Sequence, residues 1–416
     1  MAKNIVIIGG GVMGLCSAYY LQKEGHDVTI IEKTLTNEGA SYVNAGYLTP
    51  SHIIPMASPG MISKGLRYMF NSSSPFYMKP RLDVDFIRWA WYFKRASTKE
   101  RVAKAIPVIK DINILSRELF FEIKNSGELG DFHLQRKGLL MLYQSEKERD
   151  HELRVAEKAK FLGLEVKNLE WSQLKKIEPK AEINALGAIH YECDAHSTPS
   201  EFMLQMQRHL VKAGVKLQRG EEVIKIETNG PKVTKVQTDK GLYIADEVVI
   251  SSGTWSSNLA KNLGLSLPMQ AGKGYSLNVH SQTDITMPAI LMEAKIAVTP
   301  MHGFTRFAGT MEFSGINNYI RPERVEAIAK GAAKYYPRLK IDEVAKKSAQ
   351  CGLRPVSPDG LPFIGRSSKF ANLTIATGHA MMGWSLGPAT GKIVSDLISA
   401  KALDMNILPF SPLRKF

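Results

Sequence analysis

Three glycines near the start of the chain, Gly9, Gly11 and Gly14, stand at the spacing G-x-G-x-x-G. A β-branched run, Ile5 to Ile8, precedes them and an apolar helical pattern follows. In that setting Gly9 permits a tight turn, Gly11 lets the backbone approach a pyrophosphate, and Gly14 lets helix and strand pack closely. The helix start brings free N–H groups and the positive end of its dipole to a phosphate. A second strand, Val28 to Ile31, ends at Glu32, an acid suited to ribose hydroxyls. Strand, glycine turn, helix and closing acid together define a dinucleotide site. The motif suits NAD and FAD equally. No second copy follows, because Gly272 and Gly274 in AGKGYS lack the third glycine and a helix pattern. One dinucleotide site in so long a chain favours a flavoprotein reduced directly by its substrate. The cysteines Cys16, Cys193 and Cys351 are far apart in sequence, which excludes disulfide-reductase chemistry.

A second constellation lies near the other end. Cys351 to Gly365 reads CGLRPVSPDGLPFIG, with Arg354 among three prolines and three glycines. An arginine on a rigid, proline-fixed turn suits the clamping of a carboxylate with both fork nitrogens. The alternative is a structural pair with Asp359. A strand, Leu373 to Ala376, then opens into TGHAMMGWSLGPATG. The helix that follows, with Ala389, Ile393, Val394, Leu397 and Ile398 as its apolar stripe, starts near Ser385 to Gly387. Its dipole can stabilise negative charge on a reduced flavin ring. Val248 to Ile250, ending in Ser252-Gly253, is another strand whose end faces the ligand crevice of a doubly wound sheet. The cluster His190 to His196 has metal-ligand residue types, but its spacing fits no closed zinc site, so it reads as a loop of satisfied polar groups. No HExxH, GxSxG or P-loop occurs, and no metal is expected.

These groups need elements to hold them. Residues 37–60 are a Gly-, Ser-, Asn- and Pro-rich loop that either lies over the cofactor or merely connects. Residues 83–125 read helical, with Pro107 kinking or starting a helix. There Arg88, Lys94, Arg95, Lys99, Arg101 and Lys104 surround aromatic residues, a pattern that fits a solvated face better than a membrane face. A polar helix spans 145–163. Thr198 and Glu201 form a capping box for a helix that Gly214 stops. Short strands cover 222–250 and 266–320, and a helix covers about 322–336. The chain has 416 residues, 54 Lys plus Arg, 40 Asp plus Glu and a net charge of +14. That length predicts two or three domains. The charge admits nucleic acid, an anionic membrane surface or an acidic ligand, but no nucleic-acid motif appears. Asn4 to Leu21 is apolar enough to suggest a signal segment. Three consecutive glycines and the lack of a cleavage site speak for the strand–turn–helix instead, so a cytoplasmic protein is expected.

Four segments occur in order: GGGVMG, GASYVNAG, CGLRPVSPDGLPFIG and TGHAMMGWSLGPATG. Through them the chain resembles the FAD-dependent D-amino-acid oxidase superfamily. NAGYLTPSHIIPMASPGMISKGLRYMF and KGYSL are similar to its bacterial D-amino-acid dehydrogenase subgroup. The resemblance implies an α/β fold, with a Rossmann-like FAD-binding domain of the glutathione-reductase-2 type. Residues 1–80, 185–265 and 346–416 would form it. An α+β substrate domain on a mixed β-sheet, residues 81–184 and 266–345, would be interleaved with it. Carried over by position, Gly9, Gly11, Val12, Met13 and Gly14 hold the pyrophosphate, and Glu32 with Lys33 the adenosine side. Val223 meets the adenine. Ser41, Asn44, Ala45 and Gly46 pass the pyrophosphate and flavin, joined by Ser252 and Gly253. Gly378, His379, Met382, Gly383 and Trp384 line the flavin ring. Arg354 takes the substrate carboxylate and, with Tyr275, carries the catalytic assignment. Arg306 and His52 are further substrate-pocket candidates. Cys351 is shifted from the position that tethers flavin in sarcosine oxidases, so FAD is expected to be non-covalent. The implied reaction is hydride transfer from a D-amino acid Cα to flavin N5, giving a 2-oxo acid and ammonia. Electrons would pass to a quinone or other respiratory acceptor, with peripheral contact at the inner face of the membrane. The alternatives are a hydroxy-D-proline or D-proline dehydrogenase, a glycine or sarcosine oxidase, and, from another class, a non-catalytic nucleotide-binding adaptor.

Overall fold

The computed structural model describes residues 1–60, 76–79, 81 and 83–416. The later part of the NAGYL…RYMF stretch, from residue 61 on, lies outside them. Asn4–Ile8 is a strand, buried from Ile5 onward. It hydrogen-bonds in parallel to Asp27–Glu32 on one side and to Glu247–Ile250 on the other. Lys216–Arg219 extends this sheet beyond Asp27–Glu32, and Leu373–Thr377 and Phe363–Arg366 extend it beyond Glu247–Ile250. All neighbours are parallel except the last pair. The central strands read as continuous apolar runs because helices cover both faces of such a sheet. Helix Val12–Lys23 follows the first strand and packs against helix Gly387–Ile398. Close approach is built into the second helix, where a Cβ on Gly391 would collide with the Cys16 backbone.

The second large sheet is mixed and has nine strands among the described residues. Its edge strand Gln350–Val356 pairs antiparallel with Gln270–Val279, which pairs with Phe304–Phe313. The sheet continues through Ile296–Met301, Ala289–Leu291, Leu139–Tyr143, Gly187–Tyr191 and Val166–Glu170, and Phe76–Met78 joins Phe304–Phe313 from the side. Helix Pro322–Tyr335 packs on its rear face. The strands Gly187–Tyr191, Gln350–Val356 and Phe76–Met78 fall within spans 185–265, 346–416 and 1–80. Each of those spans therefore contributes to both sheets. Apolar strands look alike in either sheet, so sequence pattern alone does not assign a strand to one sheet or the other.

Three local expectations change. Pro107 starts neither helix: the break falls at Ser97-Thr98, between Val84–Ala96 and Lys99–Ser126, with Asp83 and Thr98 as the capping side chains. Thr198 is the N-cap of helix Pro199–Lys212 but makes no capping box. The Glu201 carboxylate instead accepts from the His133 N–H at 2.7 Å, and Thr198 Oγ1 accepts from the His302 N–H at 3.0 Å. His190 and His196 lie in strands rather than a loop. Between them buried Asp194 accepts from Ser51 N at 3.0 Å and Ser51 Oγ at 2.5 Å, and burial pushes its carboxyl up to about 7. No group of side chains that could hold a metal ion occurs among the described residues.

Candidate active site

A cavity of about 660 Å³ opens at the carboxyl ends of the parallel strands. That size is within the range of cofactor sites. Its first wall is the glycine turn. Gly9 has φ +110°, and a Cβ on Gly14 would overlap the Gly9 carbonyl oxygen, so strand and helix meet without side chains between them. Gly11 is the N-cap of helix Val12–Lys23 and offers no side-chain cap, which leaves first-turn N–H groups to be met by a ligand. Val12 N–H is the exception, donating to Ser41 Oγ at 3.1 Å. Glu32 accepts from Gly10 N–H at 2.8 Å and from Thr34 N–H at 2.9 Å, so its carboxylate is oriented from both sides.

Most of the expected cofactor residues meet in this cavity. Gly9, Gly11, Val12, Met13, Glu32, Lys33, Ser41, Asn44, Val223, Ser252, Gly253, His379, Gly383 and Trp384 all line it. Gly14, Ala45, Gly46, Gly378 and Met382 do not. Gly14 acts by packing, as above. The Ala45 carbonyl accepts from Thr299 Oγ1 at 2.7 Å. Gly46 (φ +79°) is pressed against the Ser197 carbonyl, and Gly378 (φ +78°) turns beside Phe363. Met382 Sδ faces Asn113 Nδ2 at 3.7 Å. Trp255 is a lining residue that sequence reasoning missed. Lys33 Nζ sits 4.0 Å from its ring centroid, so the two make one wall. The available signal was an aromatic two residues beyond Gly253, at a strand end.

Arg354 also lines the cavity, but it stands on the edge strand Gln350–Val356 rather than on a turn. An edge strand tolerates the neighbouring Pro355, which a central strand would not. Asp359 is not its partner, because that carboxylate is held by Arg414 at 2.7 and 2.9 Å. The Arg354 side chain crosses Gly274, where a Cβ would overlap the guanidinium, and Nη1 donates to the Thr310 carbonyl at 3.2 Å. The guanidinium makes no other hydrogen bond among the described residues. Burial lowers the guanidinium to about 10, so it stays cationic at neutral pH. A half-buried cation with most of its five N–H groups unused is a receptor for a carboxylate.

Three candidates belong elsewhere. Tyr275 points to the opposite face of the sheet, where its hydroxyl donates to Glu312 Oε2 at 2.7 Å. Arg306 is buried and donates to the carbonyls of Tyr42 and Asn44 at 2.8 and 2.7 Å and to Asn278 at 2.9 Å. It clamps the loop beside the cavity and touches no open space. His52 contacts Ser51 Oγ at 3.3 Å and lies outside the cavity lining, with burial lowering it to about 4. Strand position identified Tyr275 and Arg306 as pocket candidates, but position does not say which face of a sheet looks into a cavity.

The cavity at a glycine turn and the arginine at its far wall are those of a flavin-dependent oxidoreductase. A model of the FAD dependent oxidoreductase family matches residues 4–397, and the chain belongs to that family. It is 28% identical over 408 residues to a D-amino acid dehydrogenase of Granulibacter bethesdensis, covering 96% of each chain. It is 30% identical over 406 residues to one of Cereibacter sphaeroides, covering 96% of this chain and 92% of that one. The fold matches glycine oxidase from Geobacillus kaustophilus with a TM-score of 0.79 and 24% identity, over 100% and 99% of the two chains. It also matches L-proline dehydrogenase from P. horikoshii, with a TM-score of 0.74 and 20% identity, over 99% and 97%. The expected family, fold class and FAD dependence hold.

Proposed function

We propose that the chain oxidises D-amino acids to imino acids, which water converts to 2-oxo acids and ammonia. The observation that carries this reading is Arg354, a half-buried cation facing the cavity whose guanidinium has one acceptor among the described residues. The relatives at 28–30% identity supply the substrate class. Bound FAD supplies the acceptor for the hydride of the substrate Cα. The glycine turn, Glu32, Ser41 and Val223 hold its adenosine diphosphate part, and His379, Gly383 and Trp384 its ring. Trp384 is fixed for this by its Nε1–H bond to Ser197 Oγ at 3.0 Å. His379, bonded to Thr390 Oγ1 at 3.0 Å and lowered by burial to about 3, is a neutral wall. Arg354 grips the carboxylate and so sets the direction of the Cα–H, which makes positioning the main contribution of the protein. His379, a titratable group of the cavity lining, is kept neutral by burial and is no amine base, and in this reading the substrate binds with its amine already deprotonated. Cys351 is half-buried with its thiol pushed up by burial, and a protonated thiol is a poor nucleophile, which supports non-covalent FAD. Acid precipitation then leaves a colourless pellet, whereas a yellow pellet marks a tethered flavin.

The residues that hold the cofactor sit mainly on the parallel sheet, and the substrate wall on the nine-stranded sheet. We assign cofactor and substrate roles to the two on that basis. Electrons leave to a respiratory quinone at a membrane surface, a reading supported by the basic helix 84–96. The decisive experiment is anaerobic flavin reduction by a panel of D- and L-amino acids, hydroxy-D-proline, sarcosine and glycine. Bleaching by D-amino acids over their L-enantiomers is expected. Bleaching by sarcosine or glycine alone overturns the assignment, and no bleaching by any of them, with flavin bound, removes the oxidase chemistry.

A further inference from the structure

The ladder between Gln270–Val279 and Phe304–Phe313 is irregular at one place. Lys273 pairs with Glu312 and Tyr275 with Gly309, so Thr310 and Met311 together oppose Gly274. This is a bulge, and Thr310 within it has φ +67°. Glycine is the residue that such a left-handed bulge position favours, and a β-branched residue there is an outlier. The side chain gains nothing in return from the described residues, among which buried Thr310 Oγ1 has no hydrogen-bond partner. The distorted backbone directs the Thr310 carbonyl at Arg354 Nη1. The flank of the bulge is held from the other face of the sheet. Glu312, 1% exposed, accepts from Tyr275 at 2.7 Å and pairs with Lys273 Nζ at 3.2 Å, Arg324 Nε at 3.1 Å and Arg321 Nε at 3.5 Å. Lys273 is tied further to Asn317 Oδ1 and the Tyr319 carbonyl, each at 2.7 Å.

We propose that this bulge is the device that aims Arg354: Thr310 is a positioning residue whose carbonyl fixes the rotation of the guanidinium, and Tyr275 acts behind it by holding Glu312. The proposal rests on the reading of Arg354 as the substrate-carboxylate ligand. Strain retained at a functional site, with no local compensation, is the pattern expected of pre-organisation. With one N–H edge anchored on Thr310, the remaining edge is presented to a carboxylate without a rotational search, which lowers KM rather than raising kcat.

The test uses the FAD-loaded enzyme and propionate as a simple carboxylate, followed by the perturbation of the flavin spectrum. Thr310→Gly relieves the strain and frees the peptide to rotate. It is expected to melt no lower than the wild type, yet to bind propionate about tenfold more weakly, with KM rising in step and kcat changed little. Tyr275→Phe keeps the ring packing, removes the bond to Glu312, and is expected to show the same split between KM and kcat. A purely structural bulge gives the opposite result, higher stability in Thr310→Gly with wild-type propionate binding. Wild-type binding in either variant overturns the proposal, provided Arg354→Ala abolishes binding. If Arg354→Ala also binds propionate normally, the failure belongs to the carboxylate reading of Arg354.

Discussion

Arg354 and Gly274 act as one unit, and sequence spacing never shows it. Eighty residues separate them, but strand pairing sets Arg354 opposite Gly272, one pleat from Gly274, so the guanidinium lies over a strand that has no side chains there. The glycines of AGKGYS, which make no nucleotide motif, instead clear the path of the arginine. Gly274→Ala puts a methyl where the guanidinium lies. The far end of an arginine can move, so folding survives and the aim of the side chain does not. KM for the amino acid should rise about tenfold with kcat reduced less, against about a hundredfold rise for Arg354→Ala. Steady-state kinetics on the two variants check this, and an unchanged KM in Gly274→Ala removes the crossing of Gly274 from the account of the site.

At the scale of elements, the glycine turn and its flanking strands were legible because two periodicities and a turn coincide within thirty residues. The helix Pro199–Lys212 was also legible, whereas its capping box was not. A local motif competes with distant partners, and here His133 and His302 took both capping side chains. Arg354 was found by its isolation among prolines, but the strand that carries it was hidden because Pro355 reads as a turn until the strand is known to be an edge. Arg306 was misread for a related reason: strand alternation gives two faces and no indication of which one meets the loop 42–44. Helix contact is a third case. Gly391 stands in the helix whose apolar stripe, Ala389 to Ile398, predicts burial, yet only the structure shows that it touches the backbone of Cys16. Backbone cannot yield as a side-chain tip does, so Gly391→Ala must push the helices Val12–Lys23 and Gly387–Ile398 apart. Overpacking of this kind costs about 1–3 kcal/mol. The melting temperature should fall by a few degrees. FAD affinity should fall too, because the displaced helix starts at the cofactor cavity. Thermal denaturation with and without added FAD tests both, and a wild-type melting curve contradicts the contact.

For the whole molecule, the net charge of +14 takes on a location. Helix Val84–Ala96 has two apolar faces. The inner one places Phe86 and Trp89 in a cluster with Val356 and Ala380, beside the Arg354 end of the cavity, and Trp89 Nε1 donates to the Val356 carbonyl at 2.9 Å. The outer one leaves Val84, Ile87 and Trp91 at 71%, 55% and 57% exposure, at i, i+3 and i+7. Exposed Arg88, Lys94 and Arg95 flank that stripe, and Lys99 follows it. No helix among the described residues is long and apolar enough to cross a membrane. The membrane contact proposed above would place this helix, with its outward tryptophan and basic flanks, in the plane of an anionic bilayer, held by buried apolar area and by about 1 kcal/mol per basic residue near the surface. Docked this way, the Arg354 end of the cavity would lie toward the lipid in which the proposed quinone acceptor dissolves. The enzyme should therefore sediment with vesicles containing phosphatidylglycerol and not with pure phosphatidylcholine, and added salt should release it. Trp91→Asn and the double variant Lys94→Glu, Arg95→Glu should lose sedimentation and quinone-linked turnover in vesicles while keeping turnover with a soluble dye, since none of these residues lines the cavity. Equal binding to neutral and anionic vesicles contradicts the docking face, and peroxide production in air without any response to quinone contradicts the acceptor.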